Sequence, residues 1–151
     1  MTNNVLLNNV DHKDLRVITR RSADFGDNVM SALTFPAEFR SVQAHYPIVF
    51  RKSGDGQFQP IALFGFTQGQ NLFLSPEGWD ATYLPLTIER QPFLIGVADG
   101  QLLMKIDMDS PRLNRATGEA LFREHGGNTE FLERMNSVLL TIHQGLEGTP
   151  P

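Results

Sequence analysis

The sequence has 151 residues, a formal net charge of −4 and a pI near 5.5, enough chain for one ordinary domain with a core of its own. At 40% hydrophobic and 20% charged it has globular composition rather than that of a disordered chain. The acidic balance argues against nucleic-acid binding, which needs clustered Lys and Arg, and the absence of cysteine excludes disulfides, thiolate catalysis and Cys-ligated zinc.

In chain order, Val5–Leu7 and Leu15–Ile18 read as short strands joined by "NNVDHKD", whose Asn and Asp favour turns. Val29–Phe35 is an apolar run that stops at Pro36. Glu38–His45 then suits a short helix with Phe39 and Val42 on one side. The middle reads as antiparallel meander. Strands at Tyr46–Arg51 and Phe58–Phe66 flank an Asp-Gly turn, and Asn71–Leu74 supplies a third. Extended segments are expected at Trp79–Tyr83 and Leu84–Ile88. Phe93–Val97 and Leu102–Ile106 pair across "ADGQ", and their apolar character predicts a place near the sheet centre.

Beyond Asp107 the pattern turns helical. Ala116–Glu124 is one candidate helix. Asn128–Gly145 is the clearest, with Phe131, Met135, Val138, Leu139, Ile142 and Leu146 on one stripe. Asn128 is the expected N-cap, and Gly145 or Gly148 the expected end. Strands first and helices last predict an α+β fold, a mainly antiparallel sheet with C-terminal amphipathic helices, in a single domain over 1–151.

Chemistry is sparse. His12, His45, His125 and His143 are scattered, with neither H-x-H nor H-E-x-x-H. His12, beside Asp11 and Asp14, would reach a metal only if its loop folds back. His125 suits a helix C-terminus, where a cation is favoured. "DMDSPRLN" (107–114) begins like a calcium loop, but Arg112 and Gly118 stand where an EF-hand needs Gly and Glu, so Ser110 reads as the cap of a short turn. No nucleophile elbow, P-loop or dinucleotide fingerprint is present. The reading therefore assigns no catalytic residue, metal or cofactor.

"ERQPFLIG" (89–96) sets Glu89, Arg90 and Gln91 against an apolar strand. Arg90 either locks the corner through backbone carbonyls or clamps an anionic ligand. Trp79 and Tyr83, in "GWDATYLP", could line a groove, and His45 sits at a helix-to-strand corner beside Tyr46. Trp79, Tyr83, Arg90 and His45 are thus the candidate ligand-binding residues. The apolar helix face Phe131–Leu146 is the candidate interface for a protein partner or a second copy. The N-terminus lacks a basic leader, and the longest apolar stretch, Phe93–Ala98, falls far short of the roughly 20 residues of a membrane helix. A soluble protein without a signal peptide, in the cytoplasm, is expected.

"LLNNVDHKDLRV", "FPAEFRSVQAHYPIVFRK", "PIALFGFTQGQNLFL", "GWDATYLPLTIERQPFLIG" and "NTEFLERMNSVL" together resemble the SapC family of bacterial proteins, in the family's order and over about Asn8 to Leu140. The resemblance implies a role linked to a bacterial surface layer. With no convergent catalytic set among the residues, a non-enzymatic structural or interaction protein is expected, and the alternative to the cytoplasm is the cell surface, reached by a signal-independent export route. The resemblance carries over no catalytic residue. It also implies a short member, since relatives continue into a further segment, and that would leave the last helix's apolar face in want of its partner. The alternative is a cytoplasmic small-molecule-binding or accessory protein with a pocket near Trp79, Tyr83 and Arg90.

Overall fold

The computed structural model describes residues 3–147. In chain order these form β1 (Asn4–Leu6), β2 (Arg16–Val17), β3 (Ser31–Leu33), α1 (Phe39–Gln43), β4 (Ile48–Lys52), β5 (Phe58–Leu63), β6 (Leu74–Ser75), β7 (Gly78–Trp79), α2 (Leu86–Glu89), β8 (Phe93–Ala98), β9 (Gln101–Asp107), β10 (Leu113–Asn114), β11 (Glu119–Ala120) and α3 (Glu130–Glu147), with 3₁₀ turns at Ala23–Phe25 and Pro36–Glu38. This is an α+β fold of small antiparallel sheets with a C-terminal helix. The described chain falls into two compact units. One takes in the chain up to Arg20 together with Arg90–His143. The other comprises Arg21–Glu89 and the chain from Gln144.

In the first unit one sheet runs β1-β9-β8. Ala98 lies opposite Gln101, which leaves Asp99 and Gly100 as a two-residue turn with φ of 53° and 77°. Both values are left-handed, as the hairpin turn matched to strand twist requires. Phe93, Ile95 and Val97 face Ile106, Met104 and Leu102 across the ladder, so all six share one face. Phe93 and Ile106 are fully buried, whereas Val97 is 64% and Leu102 41% exposed. The apolar sequence predicts a central hairpin, but it is not central along its length. Only β9 is flanked on both sides, and β8 is an edge.

A second sheet, β10-β2-β11, is built on Arg16-Val17. It replaces the helix expected over Ala116–Glu124. Asn114 Oδ1 accepts from the Ala116 and Thr117 N–H groups at 2.7 and 3.0 Å, a local turn that competes with helical hydrogen bonding. Gly118 follows with φ +105°, close enough that a Cβ there would lie 2.6 Å from the Val17 carbonyl oxygen. The chain then pairs as β11 and buries Leu121.

The N-cap of α3 is Thr129, not Asn128: its Oγ1 accepts from Leu132 N at 3.2 Å. Glu130 and Glu133 occupy the positive first turn. Leu132, Met135, Val138, Leu139 and Ile142 are buried, Phe131 packs beside Phe93 with ring centroids 6.3 Å apart, and Leu146 is exposed. The stripe exists but is covered by the chain itself, so the Phe131–Leu146 face is not an open partner surface. The helix runs through Gly145 rather than ending there, and Gly148 lies outside the described residues.

The second unit holds the sheet β3-β5-β4 and the small hairpin β6–β7. Ala32, Val42, Tyr46, Ala62, Phe64 and Ile88 form its core, with Phe73, Trp79, Tyr83 and Leu84 packed around them. Three extended expectations change here. Asn71–Leu74 turns, because Asn71 Oδ1 takes the Phe73 N–H at 2.9 Å. Of Trp79–Tyr83, Trp79 alone is in a strand. Leu84–Ile88 gives way to α2, where the Pro85 carbonyl accepts from Ile88 and Glu89 N–H groups at 2.9 and 3.0 Å, and a proline before the first turn has no N–H to forfeit.

Candidate functional site

The second unit contains a connected polar network inside its apolar core. Pro36 opens the 3₁₀ turn that ends at Glu38, between Phe35 and Phe39, and this turns the Glu38 side chain inward until it is buried. Its Oε1 accepts from the Thr34 hydroxyl at 2.6 Å. Its Oε2 accepts from the Tyr83 hydroxyl at 2.7 Å and the Leu86 N–H at 2.8 Å. Three donors on one buried carboxyl offset the cost of removing it from water. They also tie the α1 approach to Tyr83 and to the start of α2.

Tyr46 continues the network. Its hydroxyl donates to the Tyr83 carbonyl oxygen and accepts from Trp79 Nε1 at 2.7 Å. Edge-to-face contacts surround it, with ring centroids 4.7 Å to Phe73 and 5.3 Å to Phe64, while Phe64 meets Trp79 at 5.1 Å. Burial raises the Tyr46 pKa, the Trp79 hydrogen bond opposes that rise, and the Glu38 charge adds to it.

Of the four candidate ligand-binding residues, three meet in or beside this network. Trp79 and Tyr83 are members, and His45, next to Tyr46, places Nε2 3.1 Å from the Thr82 hydroxyl. Arg90 belongs to the other unit. There its NH1 donates to the Phe93 carbonyl at 2.9 Å, which locks the corner before β8, and burial lowers its pKa. The corner function of "ERQPFLIG" is thus visible directly. The Trp79 N–H and the Tyr46 and Tyr83 hydroxyls are engaged within the protein, so these groups act as braces between elements.

Sequence reasoning overlooked Glu38 and Tyr46 as members of this site. The available signal was Glu38 itself, a carboxylate between two phenylalanines just after a helix-starting proline.

Elsewhere, His12 turns inward and accepts from Asn8 N at Nδ1, 3.1 Å away, while Asp11 accepts from the Asn8 side chain. Among the described residues no three His, Asp or Glu side chains are grouped to hold a metal. His125 lies in a turn instead of at a helix end. Asp107 uses Oδ1 to accept from Asn3 N and Asp109 N, and Arg112 is buried with NH1 on the Ile18 and Arg20 carbonyls at 2.8 and 3.0 Å.

The second unit also carries an apolar ledge. Ile48, Phe50 and Lys52 on β4 lie opposite Ala62, Pro60 and Phe58 on β5, so the six share one face. Ala62 is in the core, but towards the turn Phe50 is 60% and Phe58 66% exposed. β4 is a sheet edge, and Arg51 and Lys52 close it with two exposed cations.

These features define an α+β protein with small antiparallel sheets, a braced aromatic core and exposed apolar strand ends. The chain belongs to the SapC family, whose model it matches over residues 7–150. Searches of curated proteins and of solved structures returned no match. Among the described residues no helix is long and apolar enough to cross a membrane.

Proposed function

We propose that this SapC-family chain is a non-enzymatic structural or interaction protein, and that the bacterial surface layer named by the family is its setting. The observation that carries the reading is the β4–β5 ledge. Two phenylalanines share one face of an edge hairpin, each more than half exposed, an apolar patch of the kind that marks a contact surface. Lys52 on the same face, with Arg51 next to it along the exposed edge, favours a protein partner whose apolar contact is bordered by acidic side chains.

Fractionation of the native host tests the reading. The protein is expected in surface or low-pH washes, and a Phe50→Ser/Phe58→Ser variant is expected to lose that retention with its circular dichroism unchanged. A wholly cytoplasmic wild-type signal removes the surface-layer setting. Equal retention of the variant removes the ledge as the contact. Concentration-dependent dimerisation abolished by the variant would replace the acidic partner with a second copy.

A further inference from the structure

Within the first unit, two adjoining hollows of about 480 and 610 Å³ share Arg16, Ala120 and Arg123. The larger is also lined by Lys13, Asp14, Arg115 and Glu124, so within it four cations face two carboxylates in a chain that is acidic overall, whereas the smaller adds Glu119 and Glu130 beside the shared arginines. Both volumes fall in the ordinary range for small-ligand sites.

The cations arise from distant parts of the chain. Arg16 lies on β2, Lys13 on the turn before it, Arg115 after β10, and Arg123 after β11. Pairing of β10 and β11 with β2 brings these segments together. Two of the guanidinium groups are held from within: Arg16 NH1 donates to the Gly118 carbonyl at 2.9 Å, and Arg123 Nε to the Asn128 carbonyl at 2.9 Å. A guanidinium carries five N–H donors, so each retains others beyond the one that holds it. Among the described residues, none of the four cations forms an ion pair within 4.0 Å. Two guanidinium groups already held in place, two further cations on the same wall and a concave surface suit a polyanion, because for Arg16 and Arg123 part of the side-chain ordering that opposes binding is already met.

We infer that the larger hollow binds a small ligand bearing two or more anionic groups, phosphate or carboxylate. Such a site is separate from the protein-binding ledge and does not depend on it.

Isothermal titration of the whole chain with pyrophosphate and with citrate, at low and at raised salt, tests the inference. At least one of the two is expected to bind saturably and more weakly at high ionic strength, as a partly exposed charged site must. Pyrophosphate alone would assign a phosphate ligand, citrate alone a carboxylate. Lys13→Gln/Arg115→Gln removes two exposed cations without touching the backbone-bound arginines, and is expected to weaken binding about tenfold. Arg123→Gln is expected to weaken it further, with the thermal transition measured alongside. Absence of saturable heat with both anions overturns the inference, as does equal affinity in the Lys13/Arg115 variant.

Discussion

Tyr83 donates its hydroxyl to Glu38 at 2.7 Å while its own carbonyl oxygen receives the hydroxyl of Tyr46. One residue thereby joins a buried carboxyl to a buried phenol, and through Trp79 Nε1 to the only tryptophan of the chain. The network makes the core of the second unit depend on polar partners as well as on apolar contact.

Glu38→Ala should therefore cost more than a surface change. It leaves the Thr34, Tyr83 and Leu86 donors unmet, for a loss of about 3 kcal/mol or more. Glu38→Gln keeps one acceptor oxygen and should cost less. Urea unfolding of both variants measures the difference. A loss within ~0.5 kcal/mol for the alanine variant would mean that water replaces the carboxyl.

The titration of Tyr46 has a defined sign. Burial holds its pKa above 10.0, so the folded state keeps the neutral phenol where the unfolded state has begun to ionise. The resulting stabilisation is fully present below the unfolded value and is lost as pH rises through the folded one. The Trp79 hydrogen bond lowers the pKa, so Trp79→Phe should push the Tyr46 transition higher still. Ultraviolet titration, with Tyr46→Phe to assign the transition between the two tyrosines, reads this directly. Two coincident transitions at the ordinary tyrosine value would contradict it.

The α3 stripe makes a graded prediction. Leu139 is buried and Leu146 is exposed. Leu139→Ala should cost about 2–5 kcal/mol, whereas Leu146→Ala should stay within ~0.5 kcal/mol. Equal effects in denaturant titration would place both residues in one environment.

Gly145 reverses an ordinary rule. Replacing a helical glycine with alanine usually gains about 0.5–1 kcal/mol. At this position a Cβ would lie 2.7 Å from Phe35 Cγ and Cε2, and Phe35 is fully buried. Overpacking of about 1–3 kcal/mol should win, so Gly145→Ala should lower the Tm. A raised Tm would show that the Phe35 ring gives way.

What the sequence determined by itself was periodic or local. The stripe of α3 follows from 3.6-residue spacing. The β8–β9 hairpin follows from Asp99-Gly100, whose positive φ values suit those residues. Arg90 as a corner follows from its place before Pro92. The α+β class follows from the order of such elements.

Tertiary structure decided the rest, because the relevant partners lie far away in the chain. Ala116–Glu124 loses its helix to β2, about a hundred residues earlier in the sequence, since the close approach of Gly118 to Val17 is settled only by folding. Leu86–Glu89 is helical where the Glu38 carboxyl takes the first N–H. Trp79, Tyr83 and His45 were legible as notable residues, but their joining partners Glu38 and Tyr46 were not. A hydrogen bond spanning 45 residues has no period to read, and only the packed core fixes which donor each buried acceptor receives.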